Sequence, residues 1–402
     1  MRRRTLLLGL PASALTLAAC ETSAPEPTSA PPPAPVPEVD PSPVLENVPA
    51  DQVEPGSLRL TLEMDVMIVV ETGWNTAPQQ LDGMFLGFDD SGETLRFTAL
   101  DQDGTLCWTA QRPHGQQRFA LTRTETGRAV AVLTEPAPNS ASGPGASGPT
   151  ASCYDLRTAD LVWGPHEMPG PLAGPGLLVE VPGGPQAVLA TESGAVLLGE
   201  AELGGGRPLA EHLGTVLLCE ERELVARHGP DLAELWRTPL PEGLDASALQ
   251  VLAPIDTTTG HAVLGDGTNP GILLHLEDGR ILAEQVSAAA HDHGLDVTVL
   301  VHGDTVRGLD PDGTERWRHR DPEQLVLLSA GERLAYAQRP KEGTLVVLDT
   351  SQGLLVNPFD ADRSGPLAVP ELFSADAATS VRIEQTRYLV TTTLDEAYGL
   401  RD

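Results

Sequence analysis

The stretch that decides the fold of this chain is GLDPDGTERW, residues 308–317. It places acids and a glycine at a turn, with apolar residues before the turn and a tryptophan at the end of the following strand. The acid accepts backbone hydrogen bonds and glycine tolerates positive φ, so the pattern predicts two antiparallel strands joined by a tight turn. The tryptophan supplies a large flat side chain that can wedge between neighbouring sheets.

The same pattern recurs along the chain, which is typical of a repeat architecture. Close copies are ALDQDGTLCW at 99–108 and YDLRTADLVW at 154–163. Looser copies, three of them without the tryptophan, occupy residues 226–236, 274–282, 347–355 and 191–198. Between them lie short apolar runs separated by Gly, Asp and Pro, with no helical periodicity. Many short strands at regular spacing predict an all-β chain.

This repeat resembles the tryptophan-docking repeat of quinoprotein-like (PQQ-like) β-propellers, whose pattern is Ala-x-Asp-x-x-Thr-Gly-x-x-x-Trp. The resemblance covers most of residues 58–402. It implies a ring of four-stranded blades in which structural docking tryptophans lie buried between neighbours. The residues at those positions here are Trp108, Trp163, Trp236 and Trp317.

The number of blades follows from counting hairpins. Seven hairpins are followed by two more predicted strands, at 388–393 and 396–400. A propeller closes when one chain terminus completes the blade begun by the other, and Leu58–Leu62 is predicted to be that outer strand. Eight blades are therefore expected, with seven as the alternative, since a blade takes ~40–45 residues. Residues 136–150, rich in Pro, Ser and Gly, are predicted to be a long surface loop.

The N-terminus has the layout of a signal peptide over residues 1–19. Basic residues precede an apolar run that is shorter than the roughly 20 residues needed to span a bilayer. Leu-Ala-Ala-Cys at 17–20 resembles the lipobox of bacterial lipoproteins. The resemblance implies that Cys20 is acylated, as by palmitate, and becomes the mature N-terminus. An ordinary secretory signal with an incidental cysteine is the alternative.

The export route is predicted from the charged residues of this segment. Arg3 and Arg4, followed by one residue and two leucines, resemble the twin-arginine export motif. The alternative is the general secretory route, which needs only positive charge. Both routes place the chain outside the cytoplasm, on the outer face of the cell membrane.

Residues 20–57 follow the signal and are dominated by Pro, Ala, Ser, Glu and Val. Such a segment buries too little apolar area to fold and favours extended polyproline conformations. We therefore predict a disordered spacer between the acylated cysteine and the propeller at 58–402.

The charge of the chain limits its partners. It has 57 acidic and 26 basic side chains, a formal net charge of −31. This surface repels phosphate backbones, which excludes nucleic acid as a partner. It also repels anionic lipid headgroups, so the lipid anchor must hold the protein at the membrane. The expected partners are one or more unknown envelope proteins, and the protein itself is expected to be a monomer.

The three remaining cysteines are Cys107, Cys153 and Cys219. An oxidising compartment allows one disulfide among them, and Cys107 with Cys153 is the predicted pair. No Cys/His spacing indicates a metal site.

No motif in the chain predicts catalysis. Quinoprotein dehydrogenases look larger and often carry adjacent cysteines, which this sequence lacks. The acids of Asp101-x-Asp103 and Asp310-x-Asp312 resemble calcium loops, but they lack the further oxygen ligands and the terminal glutamate of such loops. His291-Asp292-His293 would need another ligand from elsewhere to bind a metal. We therefore expect no catalytic residue, cofactor or metal.

The sequence thus predicts a non-catalytic extracytoplasmic lipoprotein whose propeller binds proteins or ligands at the cell envelope. In fold and anchoring it resembles the scaffold lipoprotein of the outer-membrane β-barrel assembly machinery, although architecture does not define function. The alternative is a quinone- or metal-dependent extracytoplasmic oxidoreductase.

Overall fold

The computed structural model describes residues 40–54, 56–115, 118–136, 148–181 and 184–395. Cys20, Arg3, Arg4, most of the loop predicted at 136–150 and the strand predicted at 396–400 lie outside these residues. Within them the regular secondary structure is almost entirely β-strand, with one short 3-10 helix at Glu200–Glu202. No helix in this part of the chain is long and apolar enough to cross a membrane.

The described strands form eight antiparallel sheets, numbered here as blades in chain order. Two early strands, β1 (Val44–Pro49) and β2 (Met67–Glu71), join blades formed by later residues. Blade 1 contains β3 (Gln79–Leu81), β4 (Met84–Asp89), β5 (Thr94–Asp101) and β6 (Thr105–Pro113), and blade 2 contains β7 (Phe119–Arg123), β8 (Ala129–Glu135), β9 (Thr150–Asp155) and β10 (Leu161–Glu167). Blade 3 contains β11 (Leu178–Glu180), β12 (Gln186–Leu189) and β13 (Val196–Gly199). Blade 4 contains β14 (Arg207–His212), β15 (Thr215–Glu220), β16 (Glu223–His228) and β17 (Glu234–Pro239).

The second half of the chain continues the pattern. Blade 5 contains β18 (Gln250–Val251), β19 (His261–Gly265), β20 (Gly271–His275) and β21 (Ile281–Val286), and blade 6 contains β22 (Ala288–Asp292), β23 (Val297–His302), β24 (Thr305–Leu309) and β25 (Glu315–Arg320). Blade 7 contains β26 (Val326–Gly331), β27 (Leu334–Gln338) and β28 (Leu345–Asp349). Blade 8 contains β29 (Val369–Phe373), β30 (Thr379–Ile383) and β31 (Thr386–Leu394).

The blades are arranged in a closed ring. The strand that comes first in a blade lies innermost, and in blade 3 this inner strand is reduced to a bridge of Leu172 to Val179 in β11. Inner strands of neighbouring blades contact one another, as β22 does β26, β26 does β29, and β3 does β7. Strand β29 of blade 8 contacts β3 of blade 1, which closes the ring. The chain is an eight-bladed β-propeller, so the predicted fold class and the preferred blade number are confirmed.

The ring is closed by a different strand from the one predicted. Strand β2 pairs with β31, with Val70 opposite Leu389, and forms the outer strand of blade 8. The prediction that Leu58–Leu62 fills this place is wrong, because these residues make only isolated bridges to the connection between blades 7 and 8. A blade strand is buried on both faces and needs consecutive apolar residues. Val69 and Val70 meet that need by packing into two different hydrophobic clusters, whereas apolar and polar residues alternate along Leu58–Leu62.

Regular structure is also present within the segment that the sequence predicts to be a spacer. Strand β1 pairs with β6 as a fifth strand of blade 1, with Leu45 opposite Trp108. All six of its residues are exposed. The prediction of a disordered spacer through Ser57 is therefore wrong for Val44–Pro49. The physical reason is that β6 presents unpaired backbone groups at its edge, which a segment can cover without burying side chains.

The two early strands should contribute very differently to stability. A chain that begins at residue 51 should stay folded, because β1 buries none of its side chains. A chain that begins at residue 73 lacks β2, and the loss of buried Val69 and Val70 alone should cost about 3–6 kcal/mol, at about 1.5–3 kcal/mol per side chain. Thermal unfolding followed by circular dichroism tests this. Equal melting temperatures for the two truncated chains would contradict the closure by β2.

Candidate functional site

Each of the four docking tryptophans joins one blade to the next. Its indole N–H donates a hydrogen bond to a main-chain carbonyl in the third-to-fourth-strand turn of the following blade. Trp108 and Trp163 are buried at this joint, as is Trp317, whereas Trp236 is half-buried. The bonds run from Trp108 to Leu156 (2.8 Å), Trp163 to Thr191 (2.8 Å), Trp236 to Leu276 (2.7 Å) and Trp317 to Thr350 (2.5 Å).

The turn glycine of the repeat serves this joint in two ways. Gly194 has φ +70°, and a Cβ placed on it would lie 2.5 Å from the ring of Trp163. Gly353 has the same φ and would bring a Cβ to 2.4 Å from the ring of Trp317. Blade 2 has Ala159 at the equivalent position, also with positive φ, at 58°. The glycine therefore provides close approach of the indole as well as the turn conformation.

The acids that resemble calcium loops are already engaged in the fold. Asp101 Oδ1 accepts the N–H groups of Asp103 (3.1 Å) and Thr105 (2.8 Å), which stabilises the turn. Asp310 accepts a hydrogen bond from Nε of Arg316 at 2.7 Å. Within the described residues, no group of three or more His, Cys, Asp or Glu side chains is arranged to hold a metal ion.

The cysteines do not form the predicted disulfide. Cys107, Cys153 and Cys219 are all buried free thiols. Cys107 packs with Tyr154 in the cluster between blades 1 and 2, whereas Cys153 packs with Trp163 in the cluster between blades 2 and 3. The two thiols therefore lie on opposite faces of blade 2. Burial raises the pKa of Cys153 to about 12, which disfavours the reactive thiolate.

Four histidines meet at the joint between blades 5 and 6, three of them at ends of β19, β20 and β22. The ring centroids of His261 and His275 are 5.6 Å apart, those of His261 and His291 5.7 Å, and those of His291 and His293 4.9 Å. The hydroxyl of Thr298 lies 3.2 Å from Nδ1 of His261 and 3.0 Å from Nδ1 of His291. The sequence had singled out His291 and His293 but not their partners from blade 5.

Two of these histidines, His261 and His291, are neutral at pH 7. Burial, followed by the neighbouring His291, lowers the pKa of His261 to about 4. Burial also lowers the pKa of His291 and brings that of His212 on blade 4 to about 4. His261 and His291 are thus desolvated packing contacts rather than charged groups.

A loop from blade 5 crosses the channel beside these histidines. Asp256 Oδ1 accepts the N–H groups of Thr258 (3.0 Å) and Thr259 (2.7 Å), which gives residues 256–260 a tight fold. The hydroxyl of Thr257 then donates to Oε1 of Gln80 on blade 1 at 3.0 Å. Blades 1 and 5 are opposite each other in an eight-membered ring, so this contact spans the channel at this end.

Blade 7 has the most irregular outer edge among the described blades. Its fourth strand is reduced to a bridge between Leu355 and Leu348, and the chain leaves β28 after Val356. Leu354 and Leu355 are 58% and 57% exposed. Beside them lies a groove of about 530 Å³, the blade 7 groove, which is lined by Arg59, Arg339, Leu345, Val346, Val347, Leu355, Val356, Asn357, Phe359, Asp360, Ala361 and Leu367.

The sequence does not reveal this groove. Residues 347–355 match the hairpin pattern, which predicts a regular outer strand after the turn. The signal that was available is Pro358, which follows the apolar run Leu354-Leu355-Val356 after one polar residue. Proline removes a backbone donor and disfavours continuation of a strand.

The chain matches no family model and no curated protein. It is similar to the crystal structure of BamB from Moraxella catarrhalis, with 14% identity and a TM-score of 0.47 over 84% of this chain and 96% of that one. It is also similar to the β-propeller domain of Cps50 (Swd1) from Myceliophteria thermophila, with 10% identity and a TM-score of 0.40 over 80% and 97% of the two chains. Sqt1 of Saccharomyces cerevisiae shows 8% identity and a TM-score of 0.41 over 87% of this chain and all of that one. Function must therefore be inferred from this chain's own residues.

The docking tryptophans should differ in their contribution to stability. Trp108→Ala removes a fully buried ring and leaves the carbonyl of Leu156 without its donor, so it should cost about 3–5 kcal/mol. Trp236→Ala should cost less, because that side chain is half exposed. Urea unfolding of the two variants gives the comparison. Equal losses of unfolding free energy in the two variants would mean that burial of the tryptophan does not determine how much the joint stabilises the protein.

The histidine cluster should make stability depend on pH. His261 has a pKa of about 4 in the folded chain and an ordinary value of 6.5. Between these values the unfolded chain binds a proton that the folded chain does not, so stability should fall as pH drops from 6.5 to 4. His261→Gln should lose less stability than the unmodified chain over this range, as measured by urea midpoints at pH 7 and 4.5. His114→Gln, at an exposed histidine, is the control, and an unchanged pH dependence in His261→Gln would contradict the assignment.

Proposed function

We propose that this chain is a non-catalytic extracytoplasmic lipoprotein whose propeller binds a protein partner at the cell envelope. The observation that carries the proposal is the exposed apolar edge of blade 7, formed by Leu354, Leu355 and Val356 beside the blade 7 groove. A cluster of exposed apolar side chains next to a groove is typical of an interaction site. It is more unusual on a chain with a net charge of −31 than on a neutral one.

Other features support binding rather than catalysis. The acids of the repeat turns are engaged with backbone N–H groups and arginines. Burial raises the pKa of Cys153 and lowers that of His261, so neither is in the protonation state of a reactive nucleophile or a charged acid at pH 7. A quinone- or metal-dependent oxidoreductase remains the alternative. A purified protein that carries a quinone chromophore would support that alternative and contradict our proposal.

The partner can be identified by crosslinking on intact cells followed by mass spectrometry. The unmodified chain should recover one stoichiometric partner. Leu354→Asp combined with Leu355→Asp should abolish that recovery, because charges replace the apolar contact. Leu161→Asp, at a leucine of blade 2 that is 57% exposed, is the matched control and should leave recovery unchanged. Equal recovery from the double variant and the control would contradict a binding role for this edge.

The lipid anchor at Cys20 is the second part of the proposal and has its own test. Cys20→Ala should release the protein from the membrane, because the acidic surface provides no attraction to anionic headgroups. Metabolic labelling with palmitate should mark the unmodified chain and not the variant. A variant that fractionates with the membrane as the unmodified chain does would contradict lipid anchoring.

Replacing Arg3 and Arg4 with lysine should block export by the twin-arginine route and leave the general route intact.

A further inference from the structure

We infer that the blade 7 groove binds an extended, mainly apolar segment of a partner protein by strand addition to β28, with a carboxylate of that segment placed on Arg59. This rests on the proposed function, since it names how the partner would bind at the same edge. It adds the backbone geometry of the contact and the charge that the partner must carry.

The first observation is the unpaired outer edge of β28. The C=O of Val347 accepts the N–H of Val356 at 3.0 Å, and the N–H of Asp349 donates to Leu354 at 2.9 Å. Alternate residues of a strand direct their backbone groups to the same side, so Leu345 also faces outward. Its N–H and C=O, and the N–H of Val347, have no hydrogen-bond partner among the described residues. An incoming strand can bind to these groups, as in other cases of β-strand addition.

The vacancy at this edge has a local cause. A full fourth strand would continue past Val356 and pair with the start of β28. The chain instead turns away at Pro358, whose C=O accepts the N–H of Leu62 at 3.1 Å. The neighbouring bridges of Thr61 to Phe359 and of Arg59 to Leu367 hold the groove walls apart. The groove therefore occupies the place of the missing half-strand.

The second observation is the charge of Arg59, which lines the groove. Its Nε is buried without a hydrogen-bond partner. Two other arginines near this edge are already paired, Arg339 with Asp321 at 2.8 Å and Arg363 with Asp65. No such ion pair of Arg59 occurs within the described residues.

The charged and apolar side chains of the groove lining determine which kind of segment can bind there. Asp360, the acid of the groove lining, accepts the N–H of Asp362 at 2.9 Å and belongs to its own turn. Asp360 keeps its negative charge and Arg339 is paired with Asp321, so Arg59 is the cation of the lining that has no ion pair within the described residues. A guanidinium fits a carboxylate through charge-assisted hydrogen bonds. The apolar side chains of Leu345, Val347 and Phe359 favour an apolar remainder. A volume of about 530 Å³ lies within the range of ligand sites, about 300–1,000 Å³.

The test uses the full chain carrying Cys20→Ala, to keep it free of lipid, and the synthetic peptide acetyl-Thr-Val-Val-Val-Leu labelled for fluorescence anisotropy. The peptide with a free terminal carboxylate should bind saturably. Arg59→Gln should weaken this binding about 10-fold, as expected for one charge-assisted hydrogen bond, and should not affect the amide-capped peptide. Arg96→Gln, at an exposed arginine of blade 1, is the matched control. A peptide N-methylated at alternate residues should not bind, because strand pairing is blocked.

Several outcomes would overturn the inference. No saturable binding by about 1 mM peptide, or equal binding to Arg59→Gln, would exclude the arginine contact, and binding of the N-methylated peptide would exclude strand addition. If removal of residues 396–402 strengthens peptide binding about 10-fold, the chain's own terminus is the occupant. If the unmodified chain forms a dimer and Arg59→Gln does not, the occupant of the groove is a second copy of the chain. If peptide binding fails but the Leu354/Leu355 double variant still loses its partner, the proposed function stands and only the strand-addition mechanism is wrong.

Discussion

The pairing of β2 with β31 is the constraint on which the rest of the structure depends. It joins residues more than 300 positions apart, and the hydroxyl of Thr72 adds a hydrogen bond of 2.7 Å to the carbonyl of Arg387 across a separation of 315 residues. Hydrophobic clusters lie between neighbouring blades rather than within one blade, so an absent strand leaves two interfaces open. Contacts this distant in sequence form only after much chain entropy is lost, so closure is expected to come late in folding.

Polar contacts reinforce the joints between blades where apolar packing alone would allow sliding. Glu211 on blade 4 is buried and accepts hydrogen bonds from Thr122 of blade 2 (2.8 Å), from the N–H of Leu177 in blade 3 (3.1 Å) and from the N–H of Gly214 (2.8 Å). Burial raises the pKa of this carboxyl group against these bonds. Asp292 of blade 6 makes a similar contact with the hydroxyl of Thr350 on blade 7. Buried groups of this kind are tolerated because each has specific partners.

Irregular edges, rather than the regular blades, provide the surfaces available for binding. An exposed strand edge attracts any segment that can pair with it. Strand β1 covers this edge on blade 1. On blade 7 the covering strand stops at Val356, and the edge of β28 remains open beside Arg59. The same backbone chemistry therefore produces a closed edge in one blade and a candidate binding site in another.

The all-β fold, the blade repeat and the positions of the docking tryptophans could be predicted from the sequence, because a hairpin with Asp, Gly and Trp depends on residues within about ten positions of each other. The sequence did not predict that Met67–Glu71 closes the ring or that Val44–Pro49 extends blade 1. It also did not predict that Cys107 and Cys153 lie on opposite faces of blade 2. The blade 7 groove and the blade 5 members of the histidine cluster were not predicted from the sequence either. Each of these features joins segments from different blades, and only the closed ring decides which segments become neighbours and which faces they present.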